Sequence, residues 1–162
     1  MRIGVDRDEF RAAMSAVCTP VAVVTSAVGG EPHGTTISAF TSLSLDPPLV
    51  IVALDHKSAL LQRIREAGRF GINVLARDQE EWAMRFARKG EDDFGGLDWA
   101  WDNGIPRLAG APGWIACQSY GCLPGGDHTI VLGLVTQCET TPAAPLVYHE
   151  RTFGTHHARV SE

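Results

Sequence analysis

The sequence has only four cysteines, Cys18, Cys117, Cys122 and Cys138, and no two of them form a C-x-x-C pair. No zinc spacing results, and reduced, mostly buried thiols are expected. Cys117 and Cys122 are five apart, so on one strand they would face opposite sides. Basic charge is also scarce: 14 Lys and Arg against 19 Asp and Glu give a net charge of -5. Phosphate-backbone binding needs a basic footprint, so nucleic acid is not expected as a partner. No run approaches the roughly 20 apolar residues that cross a bilayer. The opening Met1-Arg2-Ile3-Gly4-Val5-Asp6 lacks the apolar stretch of a secretory signal, and a cytoplasmic location is expected. Four motifs are missing as well: G-x-G-x-x-G after the first strand, the P-loop, the G-x-S-x-G elbow and H-E-x-x-H.

What is present reads as one globular domain over residues 1–162, with a core over about 8–153 and a polar, mobile tail over 154–162. Its 44% hydrophobic and 20% charged content are ordinary for a packed domain. Asp6 and Glu9 have capping-box spacing ahead of Phe10, Ala13, Met14 and Val17, which predicts an amphipathic helix ended by Thr19-Pro20. The β-branched run from Val21 to Ser26 predicts a strand buried on both faces, followed by a Gly29-Gly30 hairpin turn. Further strands are expected over about 33–42 and over Leu49 to Leu54, the latter entered through Asp46-Pro47-Pro48. Ser58 reads as the N-cap of a helix carrying Leu60, Leu61 and Ile64 and closed by Gly68. Phe70 to Leu75 reads as a strand. Asp78 with Glu81 then predicts a helix bearing Trp82, Ala83, Phe86 and Ala87. Residues 90–113 read as a long loop with short strands, and two long strands, 114–122 and 129–138, flank a loop at Leu123 to His128. Leu146-Val147-Tyr148 is a short strand. Strands with helices inserted among them, rather than in regular alternation, predict a mainly β barrel or closed antiparallel sheet.

Three segments could carry chemistry. Gly34 to Pro48 carries six Ser and Thr residues besides Gly34, which suits either a solvated strand face or a strand whose backbone is open to a flat heteroaromatic ring. Ser58 is either a plain N-cap or the start of a helix whose unpaired N–H groups receive a phosphate, with Lys57 adding charge. His128, in Gly126-Asp127-His128-Thr129, is either an idle loop histidine or one that meets a ligand. His149, His156 and His157 lack carboxylate partners at ligand spacing, so no metal is expected.

In this order and at these spacings the segments resemble the short-chain flavin reductases, the reductase components of two-component flavin-dependent monooxygenases. The resemblance spans Phe10 to Phe153. It is carried by T-x-S-A-F-x-S-L-S-x-D-P-P at Thr36 to Pro48 and by G-R-F-x-x-N-V-L at Gly68 to Leu75. Gln79 with R-F-A at Arg85 to Ala87, Gly126-Asp127-His128-Thr129, and Pro145-Leu146-Val147-Tyr148-His149 complete it.

The resemblance implies an FMN-binding split β-barrel that forms a homodimer and holds FMN or FAD near the subunit interface. It implies Thr35, Thr36, Ser38 and Ala39 beside the isoalloxazine ring, and Ala53, Leu54 and Asp55 along the ring and ribityl chain. Ser58 and Ala59, with Phe86, Ala87 and Arg88, would lie near the phosphate. His128 would be the catalytic residue that orients the nicotinamide of NADH or NADPH, and Tyr148 would wall that side. The implied activity is NAD(P)H:flavin oxidoreduction supplying reduced flavin to a partner monooxygenase. Two other readings stand beside it. One is an FMN-binding electron carrier or sensor that does not oxidise NAD(P)H. The other is a relative that binds haem or a pyridoxine phosphate, although no Cys or His is placed as an obvious axial haem ligand. The chain departs from the family pattern at Ser58-Ala59-Leu60, where many relatives have Ser-x-Thr, and at Asp92-Asp93-Phe94, where an arginine is common.

Overall fold

The structure, a computed structural model, describes residues 4–88, 90 and 94–159. Helix α1 (Arg7–Ser15) begins as the capping box predicts: the Asp6 carboxylate accepts from the N–H groups of Asp8 and Glu9, and Glu9 accepts from the N–H of Asp6. Its apolar stripe does not enter the core. Phe10, Met14 and Val17 remain 57%, 48% and 47% exposed, and no α1 residue is buried. The helix is tied at its end to the β11–β12 turn, where the N–H of Glu150 donates to the carbonyl of Ser15.

A seven-stranded antiparallel sheet is built from β2 (Ala22–Val28), β3 (Glu31–Ile37), β4 (Phe40–Leu45), β5 (Pro48–Asp55), β6 (Arg69–Val74), β9 (Gly113–Gly125) and β10 (His128–Thr140). Its order is β3-β2-β6-β9-β10-β5-β4. Gly29 and Gly30, with φ of 61° and 80°, form the β2–β3 turn that the sequence signals. The single strand expected over 33–42 is in fact two, broken at Ser38-Ala39. The break matters because β3 and β4 are opposite edges of the sheet. Three peptide links, about 11 Å of chain at most, can join opposite edges only if the sheet curls until they nearly meet. The result is a mainly β split barrel whose sheet is not closed: Ser38 and Ala39 link β3 to β4 with no ladder between them.

Burial on both faces of β2 gives two cores. Ala22 and Val24 point into the barrel with Val52, Leu54, Phe70 and Ile72, where helix α2 (Ala59–Ala67) inserts Leu60, Leu61 and Ile64. Each of these α2 side chains is fully buried, worth about 1.5–3 kcal/mol. Gly68, at φ 69°, ends the helix as expected. Val21 and Val23 point outward and are covered by Ala83 and Phe86 of helix α3 (Glu80–Phe86), with Leu108 and Leu146. The expected Asp78–Glu81 cap is not made. Gln79 is the N-cap, and its side chain instead accepts from the N–H of Ala76 and donates to the carbonyl of Gly110, tying α3 to a distant loop.

A hairpin of β7 (Trp99–Asp102) and β8 (Ile105–Leu108) occupies the segment expected to be loop with short strands. The supposed loop at 123–128 is tighter than expected: β9 and β10 run on to Gly125 and His128 and turn at Gly126-Asp127. A small sheet joins β1 (Thr19–Pro20), β11 (Leu146–His149) and β12 (Thr152–Thr155), so the expected tail begins as an ordered strand. The thiols also differ from expectation. Cys117 is buried, but Cys18, Cys122 and Cys138 are exposed.

Candidate active site

One cleft gathers residues from four segments that are far apart in sequence. Its walls are His33 to Ala39 of β3 and the following link, Ala53 to Asp55 at the end of β5, Lys57 to Ala59 at the start of α2, and Phe86 to Arg88 with Gly90 after α3. All twelve of the residues expected to hold the cofactor line it: Thr35, Thr36, Ser38, Ala39, Ala53, Leu54, Asp55, Ser58, Ala59, Phe86, Ala87 and Arg88.

Local contacts fix the cleft's shape. Thr36 donates its hydroxyl to the carbonyl of Ala83 at 2.6 Å, which pins α3 against β3. That proton is committed, so toward a ligand the hydroxyl can only accept. Gly34 allows the close approach of Phe86: a Cβ there would lie 2.8 Å from two ring carbons. The N–H of Ala53 donates to the carbonyl of Ala39, fastening the link to β5. The loop entering α2 is held by Asp55, whose carboxylate accepts from the N–H of Lys57 and whose carbonyl accepts from the N–H of Ser58. Ser58 is N-cap by backbone conformation, but its hydroxyl makes no capping bond. The start of α2, Ser58 and Ala59, lines the cleft together with the basic Lys57 and Arg88. Such an end suits an anion. Leu60 is fully buried among the core residues. Asp92 and Asp93 lie outside the described residues.

His33 and Ile37 line the cleft although sequence reasoning had not singled them out. The two-residue strand period from Thr35 was the available signal. Burial, with a smaller contribution from Arg63, holds the His33 imidazole below its ordinary value, so it is neutral near pH 7.

His128 opens β10, paired with Asp55 across one ladder and with Gly125 across the other. It stands beside the cleft end and is not among the lining residues. Its Nδ1 lies 2.7 Å from the Asp127 carboxylate, and that hydrogen bond holds the Asp127 carboxyl below the usual range. Tyr148 lies in β11, paired with Thr19 and with its ring tilted 60° to that of Phe153, and the single chain does not bring it to the cleft.

Residues 14–157 match the family model described as "Flavin reductase like domain". The chain belongs to the flavin reductase family. Among curated members of this flavin reductase family it is 37% identical over 147 residues to an NADH-dependent flavin reductase of a Rhodococcus species, covering 89% of this chain and 83% of that one. It is 38% identical over 149 residues to the reductase component of a 4-nitrophenol 4-monooxygenase/4-nitrocatechol 2-monooxygenase from Rhodococcus opacus, covering 92% and 80%. A solved flavin reductase, NADH:FAD oxidoreductase SgcE6 of Streptomyces globisporus, superposes with a TM-score of 0.89 at 32% identity, covering 98% of each chain.

Proposed function

We propose that this chain is an NAD(P)H:flavin oxidoreductase that reduces FMN or FAD and supplies the reduced flavin to a separate monooxygenase. The observation that carries the reading is the convergence of β3, β5, α2 and α3 on one cleft beside His128. A flavin fits the donor set: small side chains leave the backbone of β3 and the 38–39 link reachable by a flat ring. The start of α2, with Lys57 and Arg88, offers an anion site at the other end.

When bound, the flavin accepts a hydride from the nicotinamide and stores two electrons. The chain's own work is positional, which is the main demand of a hydride transfer. Thr36, Ser38 and Ala39 would hold the ring edge, and Ala53, Leu54 and Asp55 would run along it. Ser58, Ala59, Phe86, Ala87 and Arg88 would hold the phosphate end, while His128 orients the nicotinamide. Backbone N–H groups directed at the ring would stabilise negative charge developing there.

The chain acts as one domain in the cytoplasm and as a homodimer. The exposed stripe of Phe10, Met14 and Val17 supports a second copy as its cover. Tyr148, away from the cleft of its own chain, would then wall the nicotinamide side from across the interface. Oxidation of NADH and NADPH, followed with riboflavin, FMN and FAD in turn, tests the reading. We expect flavin-dependent turnover that His128→Ala largely abolishes while flavin still binds. Wild type that binds flavin and oxidises neither nucleotide would overturn it.

A further inference from the structure

We infer that His56 is a positioning residue for His128, holding both carbonyls of the Asp127–His128 turn, an inference that rests on the flavin reductase reading above. The backbone N–H of His56 donates to the carbonyl of Asp127 at 3.1 Å. Its ring Nε2 lies 2.8 Å from the carbonyl of His128. A carbonyl only accepts, so Nε2 of His56 carries a hydrogen. Two consecutive peptide planes of the turn are thereby fixed by one residue. The turn needs such a hold because Gly125 and Gly126 precede it, and Gly126 is in the left-handed region at φ 71°. Glycine restricts the backbone least of all residues.

The same geometry specifies the imidazole of His128. An ionised carboxylate only accepts, so the 2.7 Å contact to Asp127 places a hydrogen on Nδ1 of His128. In its neutral form the ring presents Nε2 as an acceptor. It would read the N–H of the nicotinamide carboxamide and not its carbonyl oxygen. His56 also ties this acceptor to the flavin cleft, because its two chain neighbours, Asp55 and Lys57, both line that cleft. The hydrogen bond of the His56 ring is exposed, whereas Leu54 and Thr129 beside it are buried. Loss of the ring should therefore loosen the turn without unfolding the barrel.

The test compares wild type, His128→Ala, His56→Ala and His56→Gln, using whichever reduced nicotinamide dinucleotide the wild type oxidises. The Gln amide nitrogen can replace Nε2 as donor. His56→Ala should raise KM for the nucleotide by about fivefold to tenfold, the loss of one modest hydrogen bond and the order it imposes. Flavin affinity and melting temperature should stay at wild-type values, and His56→Gln should return KM to within about twofold. The inference is overturned by an unchanged KM in His56→Ala, by equal impairment in the Ala and Gln variants, or by flavin affinity falling in step with KM. A wild type without turnover overturns the reductase reading itself. Normal wild type with an impaired His128→Ala and normal His56 variants overturns the clamp alone.

Discussion

Gly34→Ala tests whether the cleft depends on the close contact between β3 and α3. A Cβ at residue 34 would stand 2.8 Å from Cδ1 and Cε1 of Phe86 and 3.2 Å from Cγ1 of Val23. Real Cβ contacts do not come that close, so the Phe86 ring must move. It has little room: Phe86 is 1% exposed and meets Phe94 edge to face at 5.1 Å. Over-packing of this kind costs about 1–3 kcal/mol. At about 2 kcal/mol, and a urea slope of about 2 kcal/mol/M, the unfolding midpoint should fall by about 1 M. Phe86, Ala87 and Arg88 share the end of α3 and line the cleft, so flavin affinity measured by fluorescence titration should fall as well. Phe86→Leu creates space, and in the double variant Gly34→Ala should cost much less than it does alone, a coupling that a double-mutant cycle reads directly. A Gly34→Ala chain with wild-type midpoint and flavin affinity would refute the contact as the cause of the cleft's shape.

Gly71→Ala should be worse, because its Cβ would stand 2.1 Å and 2.4 Å from ring carbons of the fully buried Trp114; a loss of about 3 kcal/mol or more in urea unfolding is expected. His33 gives a pH dependence. Its imidazole is held below the ordinary 6.5 by burial first and by Arg63 second, so the unfolded chain takes up its proton at higher pH than the folded one. The stability linked to it is complete above about pH 6.5 and is lost as pH falls through the folded value. His33→Gln should flatten that part of the melting-temperature profile, and an unaltered profile would count against the assignment. Burial pushes the Cys117 thiol up to about 12; a thiol reagent should titrate Cys18, Cys122 and Cys138 quickly, and Cys117 only on unfolding.

Where the signal is local, the sequence was legible. Asp6 with Glu9, the Gly29-Gly30 turn and Gly68 each act within a few residues, and each is seen as expected. Twelve of the cleft residues were legible for another reason: their motifs keep order and spacing even though the segments come together only in three dimensions. What escaped depends on distant partners. The break at Ser38-Ala39 carries the chain from one edge of the sheet to the other, which no local pattern encodes. Gln79 displaces Asp78 as N-cap because the carbonyl of Gly110 is within its reach. The stripe of Phe10, Met14 and Val17 has helical periodicity, and periodicity alone does not say whether the covering surface belongs to the same chain. Gly34 looks in sequence like part of a permissive strand, but it admits a ring from α3.

The strand order has a consequence for how the chain must assemble. Among the described residues, all that line the cleft fall from His33 to Gly90. Yet β5 and β6, which carry part of its frame, never pair with each other; the β9–β10 hairpin, residues 113–140, fills the place between them. A growing chain that has reached residue 112 has made every cleft residue and still has two bare edges, at Leu49–Asp55 and Arg69–Val74, rich in Val, Leu, Phe and Ile. Such edges invite pairing with other chains. The β9–β10 hairpin thus acts as a wedge that completes the frame of a cleft without lining it.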